Sequence, residues 1–173
     1  MKNENKEEMK EINEIEFGAP CNKLYYSWKD YNKDMKAIEW LKFDHVVSIY
    51  RGSLIMGTHV SNVFDVPLSI VGFQTRDGND KSPYWIHNAT ETTNLGPYSD
   101  GQRILVVDDI YDTGYTMDSV INFVKIARNK PSAYPSVFGY CLFGKYNSKS
   151  IVYSREHDGS WIVFPWETLN EPI

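Results

Sequence analysis

The sequence predicts an α/β fold, a central and mainly parallel β-sheet flanked by helices, and three observations carry that prediction. Short apolar runs bounded by turn signals alternate with stretches of helical periodicity. One run, Ile104–Val107 (ILVV), is apolar at every position, which suits a strand buried on both faces. The 173 residues, 42% hydrophobic and 24% charged, are enough for one domain that buries roughly 70% of its unfolded surface without staples.

Residues 1–20 read as a weakly structured acidic tail. Residues 1–16 hold six Glu and three Lys, and Met9, Ile12 and Ile15 give only weak periodicity. Residues 21–173 form the expected domain. Ser27 followed by Asp30 is a capping-box pattern, and Tyr31, Met35, Ile38 and Leu41 then fall on one helical face. Val46–Tyr50, Val66–Phe73 and Ile104–Val107 read as strands. Met117, Val120, Ile121, Val124 and Ala127 repeat at helical spacing, with Arg128, Lys130 and Pro131 as the stop. Val137–Phe143, Ile151–Tyr153 and Trp161–Phe164 complete the strands. The polar stretch 74–101 reads as a long loop, either a lid carrying Arg76, Lys81, Tyr84 and Trp85 or a segment without a catalytic part.

Composition excludes several classes. Outside the tail, 15 basic and 17 acidic residues leave a net charge of −2, which is no electrostatic footprint for nucleic acid. Cys21 and Cys141 make neither a disulfide framework nor a zinc site, and His45, His59, His87 and His157 lack metal-ligand spacing. The longest apolar stretch, Trp161 to Trp166, is far short of the roughly 20 residues that span a bilayer, so no integral membrane association is expected. No basic-then-apolar leader opens the sequence, and a cytoplasmic protein is the expectation.

The informative segment is ILVVDDIYDTGYT, Ile104–Thr116. A strand runs into Asp108 and Asp109; Asp112-Thr113-Gly114-Tyr115-Thr116 then opens a helix. Ligand crevices form where parallel strands end. Successive N–H groups and two hydroxyls at a helix N-terminus make a cradle for a phosphate dianion. Gly114 permits a positive φ or a close backbone approach. Neighbouring strand residues cannot both face one side, so Asp108 and Asp109 divide between two faces, free to bind ribose hydroxyls or to hold Mg²⁺ directly or through water. The plainer alternative is that Asp112 or Thr113 merely caps the helix.

The string closely resembles the thirteen-residue signature of the type I phosphoribosyltransferases. That resemblance implies that the acid pair holds the ribose hydroxyls of phosphoribosyl pyrophosphate and that the Asp112–Thr116 loop wraps its 5-phosphate. It implies an earlier pyrophosphate loop, for which Arg51-Gly52-Ser53 stands in place, Ser53 being a departure from the usual glycine. Arg51 offers a guanidinium there, and Gly52 opens the backbone N–H groups.

Phe143-Gly144-Lys145 and the later Trp161-Ile162-Val163-Phe164-Pro165-Trp166-Glu167 are similar to the nucleobase end of bacterial xanthine-guanine phosphoribosyltransferases. By that similarity Lys145 donates to the purine 6-oxo group, Trp161 stacks on the ring, and the Ile162 backbone reads the 2-position edge. Glu167, where the family more often has Asp, joins Asp108 and Asp109 around Mg²⁺, and Asp112 serves as base or proton relay at purine N7. Residues 145–173 become a nucleobase-binding hood segment, within a small hood built from the chain ends.

The implied reaction transfers ribose 5-phosphate from phosphoribosyl pyrophosphate to N9 of guanine, xanthine or hypoxanthine, releasing pyrophosphate, in a homodimer or homotetramer. The alternatives are a transferase for another base, or a non-catalytic sensor of phosphoribosyl pyrophosphate or a nucleotide with the same fold.

Overall fold

A computed structural model describes residues 22–73, 83–87, 102–126, 136–146, 148 and 150–169. The acidic tail, most of 74–101 and the expected helix stop at 128–131 lie outside the described residues. The chain divides into two compact units, Ser27–Asp158 and a smaller one made of Met1–Tyr26 with Gly159–Ile173.

The larger unit is built on a six-stranded sheet whose strands are β2 (His45–Tyr50), β3 (Leu68–Gly72), β4 (Tyr84–His87), β5 (Arg103–Tyr111), β6 (Ser136–Gly144) and β7 (Ile151–Glu156). Their order is β4-β3-β2-β5-β6-β7, parallel except for the antiparallel edge pair β3–β4. β2 and β5 lie in the middle and are buried on both faces along their Val and Ile runs. Helix α1 (Trp28–Met35) continues as a 3-10 turn over Lys36–Ile38; α2 is Leu54–Phe64 and α3 is Tyr115–Ile126. Met117, Val120, Ile121 and Val124 of α3 bury their stripe against Val47, Ile49, Ile104 and Val106. Gly57 of α2 packs on Ser48, which alternation along β2 puts on the opposite face. None of the helices among the described residues is long and apolar enough to cross a membrane.

The capping box of α1 is formed as expected: the Ser27 hydroxyl accepts from the Asp30 N–H at 3.1 Å, and the Asp30 carboxylate accepts from the Ser27 N–H at 3.4 Å. That hydroxyl and the Arg155 guanidinium hold the Asp30 carboxyl down to about 2. Arg155 of β7 also bonds Asp34, so one side chain fastens α1 to the sheet edge.

Three expectations are corrected. The strand through ILVV does not stop at Val107 but runs to Tyr111, because β6 continues to pair with it through Asp108↔Cys141, Ile110↔Phe143 and Tyr111↔Gly144. Within 74–101, Tyr84–His87 is a strand on the sheet edge rather than loop, so Tyr84 and Trp85 are sheet residues. The segment 145–173 is not one body, since β7 belongs to the large sheet and the division falls at Gly159. β8 (Trp161–Val163) lies outside the six-stranded sheet.

β8 pairs in parallel with β1 (Lys23–Tyr25), in the register Lys23↔Trp161, and this two-stranded sheet makes the smaller unit from the two ends of the chain. Tyr26 meets Phe164 edge-on at 5.8 Å, and Phe164 stacks on Trp166 at 4.8 Å.

His45 opens β2 fully buried, with Nε2 2.8 Å from the Ser69 hydroxyl oxygen, and burial pulls its pKa down to about 4. The folded imidazole therefore stays neutral while the unfolded chain takes up a proton near pH 6.5. Stability from this group is intact above about pH 6.5 and is lost as pH falls towards 4. The expected loss between pH 7 and pH 5 is about 2 kcal/mol. Urea unfolding at both pH values checks it: His45→Gln should lose less stability on acidification than the parent, and equal losses would contradict the assignment.

Candidate active site

The chain leaves β2 for β3 and β4 on one side and returns to β5 on the other, so a crevice opens at the carboxyl ends of β2 and β5. β2 ends at Tyr50 and turns through Arg51-Gly52-Ser53 into α2. β5 ends at Tyr111 and turns through Asp112-Thr113-Gly114 into α3. β6 ends at Gly144, followed by Lys145. Parallel pairing brings these three loops to one edge.

In the first loop Arg51 is exposed, and the Tyr50–Arg51 peptide bond is cis. A Cβ on Gly52 would lie 2.1 Å from Asp109 Oδ2, so a larger residue here would push that carboxylate aside. The expected pyrophosphate loop and the expected acid pair are thus in contact. Ser53 sits at the N-cap of α2 without capping it; its side chain turns inward instead.

The acid pair divides as adjacent strand residues must. Asp108 is 8% exposed, and its Oδ1 accepts from the Asp109 N–H at 3.1 Å. Burial first, and the neighbouring Asp109 charge second, push the Asp108 carboxyl well above the usual carboxylate range. Asp109 is half-buried, and its Oδ1 accepts from the Ile110 N–H at 2.8 Å. Cys141, in register with Asp108, is buried and its thiol is pushed up by burial, which makes it inert.

In the second loop Asp112 and Thr113 are exposed and Gly114 is buried with φ +83°. A Cβ there would come within 2.7 Å of the Tyr111 hydroxyl oxygen, so the loop folds down onto that ring. The Gly114 carbonyl accepts the Asp118 N–H at 2.9 Å, the first turn of α3. Tyr115, 52% exposed, sets its ring edge-on to Phe73 at 5.7 Å, and Thr116 follows in the first turn. The plain capping alternative does not hold for Asp112: its carboxylate accepts from Lys145 Nζ at 3.1 Å. Thr113 makes only a 3.4 Å contact with the Tyr115 N–H.

Lys145 and Asp112 are 33 residues apart in sequence and meet because the Lys145 N–H extends the β5–β6 ladder to the Tyr111 carbonyl at 3.0 Å. The hydrogen bond to Asp112 raises the Lys145 pKa. In the smaller unit Trp161 is 56% exposed and the neighbouring Ile162 side chain is buried. Glu167 Oε2 accepts the Phe164 N–H at 3.0 Å, closing the turn after β8.

Residues 28–170 match the phosphoribosyl transferase domain family. The chain belongs to the phosphoribosyl transferase family. It is 25% identical over 159 residues to the xanthine-guanine phosphoribosyltransferase of Cereibacter sphaeroides, covering 83% of this chain and 86% of that one. It is 27% identical over 157 residues to the enzyme of the same name from Desulfotalea psychrophila, covering 84% and 86%. Its fold matches the purine phosphoribosyltransferase of Pyrococcus horikoshii with a TM-score of 0.64 at 24% identity, over 86% of this chain and 96% of that one.

In this phosphoribosyl transferase the large unit gathers Arg51, Gly52, Asp108, Asp109, Asp112, Thr113, Gly114, Tyr115, Thr116 and Lys145 at the carboxyl edge of one sheet. Trp161, Ile162 and Glu167 belong to the small unit. Tyr111 beneath Gly114 and the inward Ser53 hydroxyl escaped sequence reasoning; the serine replacing the usual glycine was the only signal of the second. The described residues contain no cluster of three His, Cys, Asp or Glu side chains around a metal position. Of the acid pair only the half-buried Asp109 has the chemistry to fit Mg²⁺, which commonly takes one or two carboxylates and completes its shell with water and substrate phosphates.

Proposed function

We propose that this phosphoribosyl transferase moves ribose 5-phosphate from phosphoribosyl pyrophosphate to N9 of a 6-oxopurine and releases pyrophosphate. The Lys145–Asp112 pair carries the reading. A cationic donor beside an anionic acceptor complements the O6/N7 edge of an oxopurine, where O6 accepts and N7–H donates. Adenine would turn its amino group towards the lysine, a donor against a donor. The names of the two xanthine-guanine relatives agree with this preference.

In the proposed reaction positive charge develops at the anomeric carbon as pyrophosphate departs, as in glycosyl transfer. The Arg51 guanidinium and the amides of its loop stabilise the departing anion. Thr113, Gly114, Tyr115 and Thr116 hold the 5-phosphate at the start of α3. Asp112 takes the proton from N7 as N9 attacks, and Lys145 holds charge on O6. In the small unit the exposed ring of Trp161 is of the kind on which a base stacks, worth roughly 1–3 kcal/mol per base. Mg²⁺, when bound with the donor, supplies neutralising charge for the leaving pyrophosphate. Asp109 is the best placed carboxylate to hold it, because Asp108 is buried and Glu167 closes its own turn.

Steady-state assays with guanine, xanthine, hypoxanthine and adenine test the reading. At least one oxopurine should be turned over, with adenine disfavoured by ~10³-fold or more in kcat/KM. Comparable use of adenine would remove Lys145 from its role, and binding of phosphoribosyl pyrophosphate without turnover of any base would make the protein a sensor.

A further inference from the structure

Ser53 is fully buried at the junction of β2, β5 and α2. Serine at a helix N-cap ordinarily accepts a hydrogen bond from the first turn, and Ser53 does not. Its Oγ lies 2.7 Å from the Ile49 carbonyl oxygen, 2.9 Å from the Val107 carbonyl oxygen and 3.0 Å from Ser48 Oγ. Its single proton is shared between two carbonyls, one on β2 just before the Arg51 loop and one on β5 just before Asp108. The Ser48 hydroxyl can give Ser53 Oγ a second proton. In the next residue back, Gly52 rests against Asp109, so a shift of the loop by a fraction of an ångström changes its spacing to the acid pair.

We propose that Ser53 is a positioning residue that latches the pyrophosphate loop to the end of β5, fixing Arg51 and Gly52 relative to Asp108 and Asp109 before the donor binds. The inference rests on the transferase reading for its ligand, but the latch is a property of the free protein. A buried hydroxyl bonded to two strands has no freedom to relax, so the loop amides arrive already aimed and less ordering is left for the donor to impose.

Ser53→Ala removes the latch, and Ser53→Gly removes it without adding a side chain should the alanine variant fold poorly. Each should weaken phosphoribosyl pyrophosphate binding to the base-free protein, by calorimetry, about 10-fold and raise its KM to match. The KM for the purine base and kcat at saturation should stay within about 2-fold. Amide hydrogen exchange at residues 51–56 of the ligand-free variant should quicken. Ser48→Ala, which spares both carbonyl bonds, should move none of these beyond about 2-fold. A folded Ser53 variant that binds the donor as tightly as the parent would overturn the latch while leaving the transferase reading intact. So would a variant whose two KM values rise together, or a Ser48→Ala effect equal to that of Ser53→Ala. A parent protein that binds no phosphoribosyl pyrophosphate would instead overturn the transferase reading and this inference with it.

Discussion

Asp112→Asn is expected to lower kcat with an oxopurine by about 10²–10³-fold while phosphoribosyl pyrophosphate binds almost as before. Asn keeps the size of the side chain and one acceptor oxygen but cannot take the N7 proton. The variant also breaks the ion pair with Lys145, so loss of fold is the rival explanation for lost activity. Exposure decides against it. The two side chains are 40% and 53% open to water, and a pair this solvated contributes little to stability. The backbone that places Lys145 is held separately, by its N–H to the Tyr111 carbonyl. Three measurements on one preparation therefore separate the cases: kcat, the Kd for the donor, and Tm. A low kcat with unchanged Kd and Tm supports the role, whereas a parent-like kcat removes Asp112 from the chemistry.

What the sequence made legible was local. The capping box at Ser27, the stripe of α3 and the turn at Gly114 depend on neighbours within a few residues, and each is where the pattern puts it. The length of β5 was not, because two aspartates read as the end of an apolar run, yet the ladder with β6 continues past them and partner strands decide where a strand ends. The edge strand Tyr84–His87 was hidden in polar surroundings for the same reason: β3 supplies its hydrogen bonds, not its own composition. The apolar run Trp161–Phe164 read as a strand but carried no information on its partner, and the pairing of Trp161–Val163 with Lys23–Tyr25 joins the two ends of the chain. In the site, residue types and their order were readable from the loops. The contact between Gly52 and Asp109, the Lys145–Asp112 pair and the inward turn of Ser53 arise only when separate strands come side by side.

Asp108→Asn is expected to make the ligand-free protein more stable and the enzyme worse. Burial and the Asp109 charge raise the folded pKa of Asp108 above its value in the unfolded chain, and a side-chain bond to Asp109 reinforces the shift. As pH rises through about 4 the unfolded chain gives up this proton while the folded protein keeps it, so Asp108 progressively costs stability until pH reaches its folded pKa. Asn copies the neutral carboxyl, can donate to Asp109, and carries no such cost. In metal-free buffer the variant should melt close to the parent near pH 4 and increasingly above it towards pH 7, by roughly 2–4 °C for each kcal/mol regained. Donor binding should move the other way. If Asp108 gives up its proton to a ribose-bound donor complex, the amide cannot follow it and a charge-assisted bond to the ribose hydroxyl is lost, for a rise of roughly 10–100-fold in the KM of phosphoribosyl pyrophosphate. Opposite shifts in stability and affinity from one atom's replacement are the mark of a residue kept for its site. A variant less stable than the parent at pH 7 would mean that the folded protein stabilises the Asp108 carboxylate, and the division of the pair into a buried neutral member and a solvent-facing partner would be wrong.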